Sequence, residues 1–202
     1  MQTVSEAVAK ERELNSLSLV TVIVVLATVT MTFGAMIAVF IVRSQAALYW
    51  GHLQVPPVLW VSTSALLASS LLLERARREL ASAKHAHQNQ SRFFKLAAWA
   101  TALGVLFLIG QLTAWFQVLG SGVVLARNPH SWFIFLFSGL HGLHIALGLG
   151  GLGYLLVRTR TVVSGPKYQM TTRAIANGVS VFWHYLDFLW VILFALLLLW
   201  RR

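Results

Sequence analysis

Residues 174–200 read AIANGVSVFWHYLDFLWVILFALLLLW, with Asp187 as the single formally charged side chain. A run of this kind exceeds the about 20 helical residues needed to cross a hydrocarbon core of about 30 Å. In lipid the backbone must satisfy its own hydrogen bonds, so an isolated apolar run of this length is a helix and not an open strand. Its polar residues then show which face turns inward. Asn177, Ser180, His184 and Asp187 recur at steps of three, four and three, a single stripe on an otherwise apolar helix.

Four further apolar stretches lie upstream, at residues 17–42, 55–73, 94–119 and 131–157. Together they predict an all-α integral membrane bundle of five transmembrane helices, a single domain over residues 17–202. Residues 1–16 are polar and read as an interfacial helix or tail. The composition agrees, because 57% of the 202 residues are hydrophobic and 11% are charged, against about 25% charged in soluble domains. The sequence has no Cys, which removes disulfides, thiolate metal sites and thiol catalysis. No GxxxxGK[ST], GxSxG or HExxH motif occurs, and GLGGLG at 148–153 matches GxGxxG in spacing only, inside an apolar run with no strand before it, so the common soluble-enzyme chemistries have no foothold.

A net charge of +10 would point to nucleic acid in a soluble protein, but here the cations fall between the apolar runs and set topology instead. No nucleic-acid partner is expected. Lys10, Arg12, Arg75, Arg77, Arg78, Lys84, Arg92, Lys95, Arg158, Arg160, Lys167 and Arg173 share one side of five spans. Arg43, Arg127, Arg201 and Arg202 share the other. The positive-inside rule therefore predicts a cytoplasmic amino terminus and an outer carboxyl terminus. Trp50, Trp60, Trp115, Trp132 and Trp200 lie near span ends, where an indole suits the headgroup layer.

The fourth span carries GLHGLHIALGLGGLG at residues 139–153, with His141, His144, Gly148 and Gly151 on one face. Gly139 and Gly142 join Gly148 and Gly151 as positions where neighbouring helices can approach closely. In the third span Thr101, Gly104, Leu108, Gln111 and Trp115 form a comparable narrow face. These faces are expected to meet, giving an interior polar network of Gln111, His141, His144, His184 and Asp187 near the membrane midplane. Asp187 then needs a partner, with His184 or a histidine of span four as candidates, and Gln111 can join His141. Three readings compete: a structural network, histidine ligation of a haem, and a proton or ion path. Only three histidines lie inside the spans, and one carboxylate stands without a second acid, so the residues favour the structural network.

The sequence also resembles a known family, subunit III of the haem-copper terminal oxidases, in its short five-helix form. Three blocks carry the resemblance: VSTSALLASS at 61–70, SGLHGLHIALG at 138–148 and VFWHYLDFLWVILF at 181–194. They are similar to the family's Thr-Ser/Leu-Leu/Ser-Ser helix, its GxHGxH helix and its WHxxDxxW terminal helix. Gln111 with Trp115 also resembles a Gln that the family carries there. The resemblance covers nearly all of the chain from about Leu17.

It implies a non-catalytic subunit of a respiratory oxidase in the bacterial plasma membrane, packed against subunit I and near subunit II. On this reading the chain has no catalytic, cofactor-binding or metal-binding residue of its own. Haems and copper belong to partner subunits, and phospholipid is an expected companion. The role implied is to stabilise subunit I and to support lipid binding and proton or oxygen access. Alternatives are subunit III of a quinol oxidase, a nitric oxide reductase accessory protein, or a small independent transporter.

Three departures from the family pattern narrow these expectations. Two further amino-terminal helices of longer relatives have no counterpart here, so their lipid cleft is not carried over. Residues 27–42, ATVTMTFGAMIAVFIV, lack the membrane-embedded Glu of many relatives, and Ala114 stands where some carry a Glu.

Overall fold

The computed structural model describes the backbone of residues 2–46, 56–81, 86–120, 129–160 and 166–199. Side chains are described for residues 20–45, 56–79, 91–120, 132–160 and 171–199. Trp50, His52, His85, His87, Arg127, His130 and Trp200 lie outside those side chains.

The described chain is all-helical: α1 (Gln2–Ala46), α2 (Val58–Ala81), α3 (Ala86–Gly120), α4 (Pro129–Arg160) and α5 (Pro166–Leu199). Each contains a stretch long and apolar enough to cross a membrane: Val20–Gln45, Val58–Glu79, Ser91–Gly120, Trp132–Arg160 and Thr171–Leu199. The protein is therefore a multi-pass membrane protein. The polar residues from Gln2 continue α1 without a break in the helix.

Helix starts follow the sequence punctuation. α4 and α5 open on Pro129 and Pro166, where a missing N–H costs nothing because first-turn donors have no intrahelical partner. Pro56 and Pro57 precede α2, and their carbonyls accept from the amides of Leu59 at 3.0 Å and Trp60 at 3.1 Å. On α1, Thr28, Thr30 and Thr32 turn their hydroxyls back onto the carbonyls of Val24, Leu26 and Thr28 at 2.6 to 2.9 Å. That removes the cost of an unbonded hydroxyl in lipid.

α2, α3, α4 and α5 close a ring in which α2 meets α3, α3 meets α4, α4 meets α5 and α5 meets α2. α1 lies outside the ring, chiefly on α5 and to a lesser extent on α4. The closest pair is α2 with α3, and small residues explain it. Ser62, Ser69 and Ala76 are buried at heptad spacing on α2 and face the buried Ala97 and Ala100 of α3. Ser69 Oγ donates to the carbonyl of Ala100 at 2.8 Å, and a Cβ on Gly110 would lie 2.6 Å from the Cβ of Ser62. In lipid such close packing, not water exclusion, drives helix association.

The ring's centre is aromatic. Trp183 is fully buried, with its six-membered ring wedged between Gly104 of α3 and Gly148 of α4. Toward the other end of α5, Trp190 packs on Phe107 and Phe194. A second cluster seats α1, where Phe33 and Phe40 meet Phe133, Phe137, Leu189 and Leu193. The hydroxyls of Thr30 and Tyr185, 2.6 Å apart, tie α1 to α5.

Candidate functional site

The interior polar residues occupy three separate places. At the first, His141 of α4 is fully buried, its ring stacked on Trp190 at 5.0 Å between centroids. Phe107 stands perpendicular to it at 6.0 Å and Phe33 lies edge-on at 6.4 Å. Protein rings from α1, α3 and α5 thus surround the imidazole. Trp190 is fixed in turn by its indole N–H, which donates to Thr63 Oγ1 of α2 at 3.0 Å. Thr63 donates onward to the carbonyl of Leu59 at 2.7 Å. His144, one turn on from His141, pairs Nδ1 with its own helix at the Leu140 carbonyl, 2.7 Å away.

The second place lies between α2 and α5, at the end of the ring that carries Arg75, Arg77 and Arg78. His184 Nδ1 is hydrogen-bonded to Ser70 Oγ, and its Nε2 lies 3.7 Å from Glu74 Oε2. Glu74 also accepts from Arg77 Nε at 2.8 Å and from Arg78 Nε at 2.9 Å. Arg77 reaches across to Asn177 Oδ1 at 3.5 Å. The third place is Gln111 of α3, buried beside a narrow pocket that it lines with Trp115, Ser138 and Trp190.

Asp187 is buried at 4% exposure, and neither carboxylate oxygen has a hydrogen-bond partner. The same holds for both amide atoms of Gln111, both ring nitrogens of His141, the hydroxyl of Ser180 and the indole nitrogen of Trp183. The expected partners of Asp187 are therefore engaged elsewhere: His184 turns to Ser70 and Glu74, and His144 turns to Leu140. Nor does Gln111 bond to His141. His184 and Asp187 share a face of α5, yet His184 bonds Ser70 and approaches Glu74 while the carboxylate of Asp187 closes no hydrogen bond.

Ser70 and Glu74 were legible as an i, i+4 pair on one face of α2, but Glu74 lies in the run ERARRE, which reads as a topology anchor. Trp115 was read both as a span-end indole and as part of the inward face of α3. Its indole N–H donates to Ser138 Oγ of α4 at 2.8 Å, and Ser138 donates to the Ile134 carbonyl at 2.5 Å. Trp60 and Trp132 remain exposed. The four glycines singled out on α4 face different neighbours. Gly139 and Gly142 look onto Trp115 and Leu108 of α3, whereas Gly148 and Gly151 look onto Trp183 and Val179 of α5. Among the described residues, no three His, Asp or Glu side chains gather as a metal site.

Fold and interior together define a multi-pass helical membrane protein in which two glycine-bearing helices clamp a Trp- and His-bearing terminal helix. No family model matches the chain. Curated relatives do. It is 29% identical over 105 residues, half of each chain, to a probable cytochrome c oxidase subunit 3 of Nocardia farcinica. It is 29% identical over 143 residues to the cytochrome c oxidase subunit 3 of Corynebacterium diphtheriae, covering 71% of this chain and 65% of that one. It is 30% identical over 149 residues to the cytochrome bo(3) ubiquinol oxidase subunit 3 of Pseudomonas aeruginosa, covering 71% of this chain and 64% of that one. The matched portion spans about half the length of the first of these relatives. The chain belongs to the subunit III family of the haem-copper oxidases.

Proposed function

We propose that the chain serves as a non-catalytic subunit III of a respiratory haem-copper oxidase, in contact with the subunit I that holds haems and copper, and with subunit II nearby. One observation carries this reading. Relatives named for two different electron donors, a cytochrome c oxidase and a ubiquinol oxidase, each align over 71% of the chain. What the chain shares with both is the subunit and not the donor. The interior is consistent with a structural role: His141 is enclosed by protein rings, and the best-bonded polar groups, Thr63 with Trp190 and Ser138 with Trp115, join one helix to the next.

In this role residues 17–202 act as one unit of the bacterial plasma membrane, following the polar segment 1–16. The cation-rich end faces the cytoplasm, in keeping with the positive-inside rule. There Arg160 lies 5.2 Å over the ring of Phe94, an arrangement that keeps a long cation at the interface. Subunit III then stabilises subunit I, holds phospholipid at their boundary and supports proton and oxygen access.

The test is to tag the chain, extract it in mild detergent, and record the reduced-minus-oxidised spectrum with the mass spectrum of what accompanies it. Haem bands and a large subunit I partner are expected. A co-purifying cytochrome c domain would name the donor as cytochrome c, and its absence with quinol-driven turnover would name quinol. A colourless chain without partners would overturn the assignment.

A further inference from the structure

α2 and α5 run antiparallel and meet along a seam of polar side chains with a regular register. Arg77 Nη1 donates to Asn177 Oδ1 at 3.5 Å, and His184 Nε2 lies 3.7 Å from Glu74 Oε2. One turn deeper His184 Nδ1 is hydrogen-bonded to Ser70 Oγ, and deeper still the Trp190 indole donates to Thr63 Oγ1 at 3.0 Å. Each step forward along α5 is matched by a step back along α2. On that register Asp187 falls beside Ser70, whose hydroxyl lies within reach of the carboxyl without completing a hydrogen bond to it in this conformation.

Asp187 is the last ionisable group of the seam. It is 4% exposed, with both oxygens unbonded, and about 24 Å of helix separates it from Thr171 and about 18 Å from Leu199 at the two ends of its span. Past it the seam closes, because Trp190 bonds Thr63 and Thr63 bonds the Leu59 carbonyl, which takes up no proton. No cation answers the carboxyl at this depth. α1 has no titratable side chain between Val20 and Val42, and α3 has none between Leu96 and Gly120. On α4, His141 is enclosed by aromatic rings and His144 is bonded to the Leu140 carbonyl, while Tyr185 of α5 is engaged by Thr30. On α2, Arg77 and Arg78 are paired with Glu74. An ionised carboxylate left alone in such surroundings is far costlier than the neutral acid.

We propose that Asp187 is a proton-binding site, a neutral carboxyl held near mid-membrane that exchanges its proton with the Arg-bearing end of the ring through Ser70, His184 and Glu74. In loading, a proton on Glu74 passes to His184 Nε2, the Nδ1 proton of the ring passes to Ser70 Oγ, and the hydroxyl proton of Ser70 passes to a carboxylate oxygen of Asp187. One N–H or O–H bond forms for each that breaks, so no charge is stranded in the seam. The imidazole ends with its proton on Nε2 and Ser70 then donates to Nδ1. Unloading is the reverse, which restores the first tautomer without a ring flip. A rotation of the Glu74 carboxylate or a single water closes the 3.7 Å gap to Nε2.

The site goes beyond the subunit role and stands or falls separately from it, because the carboxyl belongs to this chain whether or not haem bands accompany it. Infrared spectra of the purified full chain, with whatever subunits accompany it, provide the test. At neutral pH the difference between the native chain and Asp187→Asn should contain the C=O stretch of a protonated carboxyl, and transfer to D2O should shift that band as deuterium replaces the proton. Ser70→Ala and His184→Phe should keep the band and slow its shift by about tenfold or more, the effect of deleting one hydrogen-bonded transfer group. Ser70→Ala removes a single oxygen, so it answers the question even where His184→Phe does not fold. The proposal is overturned if the difference spectrum holds no protonated carboxyl, if the band stays unshifted in D2O, or if either folded variant shifts as fast as the native chain.

Discussion

The wedge of Trp183 between two helices gives the sharpest test of the packing. A Cβ on Gly104 would lie 2.7 Å from Cη2 and 2.9 Å from Cζ2 of that indole, and 2.9 Å from Cδ2 of Leu149. Comfortable carbon contacts begin near about 3.5 Å, so Gly104→Ala forces the ring back by nearly 1 Å. It has little room to go. On its far edge Cε3 and Cζ3 already lie 3.0 and 3.1 Å from where a Cβ of Gly148 would stand. Overpacking of this kind costs about 1–3 kcal/mol, set against a helix-propensity gain of at most about 1 kcal/mol for Gly to Ala.

Gly150→Ala is the matched control, because no atom lies within 4 Å of its Cβ position. It keeps the propensity gain without the clash, so the two variants should differ by about 2 kcal/mol, or about 4–8 °C for a chain of this size. Melting in mild detergent, followed by intrinsic fluorescence, measures the difference. Trp183→Phe trims the ring that clashes, so in a double-mutant cycle it should recover about 1–2 kcal/mol of the Gly104→Ala loss. If Gly104→Ala melts together with Gly150→Ala, or if the cycle shows no coupling, the wedge does not hold α3 and α4 against α5 and the packing argument fails.

Gly110→Ala meets Ser62 Cβ, an atom without the flexibility to yield, and should cost about 1–3 kcal/mol; replacing Ser62 by Gly in the same chain should restore the midpoint. Thr63→Val removes the acceptor of the buried Trp190 indole and should lower stability by about 1–3 kcal/mol, whereas Ser64→Val, on a hydroxyl bonded to its own helix, should change little. Asp187→Asn replaces a buried carboxylate without a partner by a neutral isostere, so the melting midpoint is expected to hold or rise. A loss beyond about 3 kcal/mol would show that a paired charge had been broken. Glu74→Gln dissolves a half-buried cluster with Arg77 and Arg78 and should cost about 1 kcal/mol, with the difference shrinking as salt is raised.

What could be read from the sequence depends on the range of the interaction involved. Helix number and order follow from apolar runs whose length alone meets the membrane, and Gly104, Gly139, Gly142, Gly148 and Gly151 each face a neighbouring helix closely, whereas the tight contact at Gly110 was not read from the sequence. Of the polar stripe read on α5, Ser180 and Asp187 are buried, whereas Asn177 is exposed and His184 half-buried. Hydrogen-bond partners were not legible. Helical spacing fixes the face on which His184 and Asp187 lie, but the partner of each depends on which helix supplies an acceptor at that depth. Ser70 and Glu74 do so for His184, and they sit on a helix whose contact with α5 no local pattern announces. His144 found a still nearer acceptor, the carbonyl one turn back. Gln111, His141, Ser180, Trp183 and Asp187 stay unbonded inside the ring, although His141 has a carbonyl one turn back just as His144 does. Of these, His141 is closed in by aromatic rings, whereas Gln111 lines a narrow pocket.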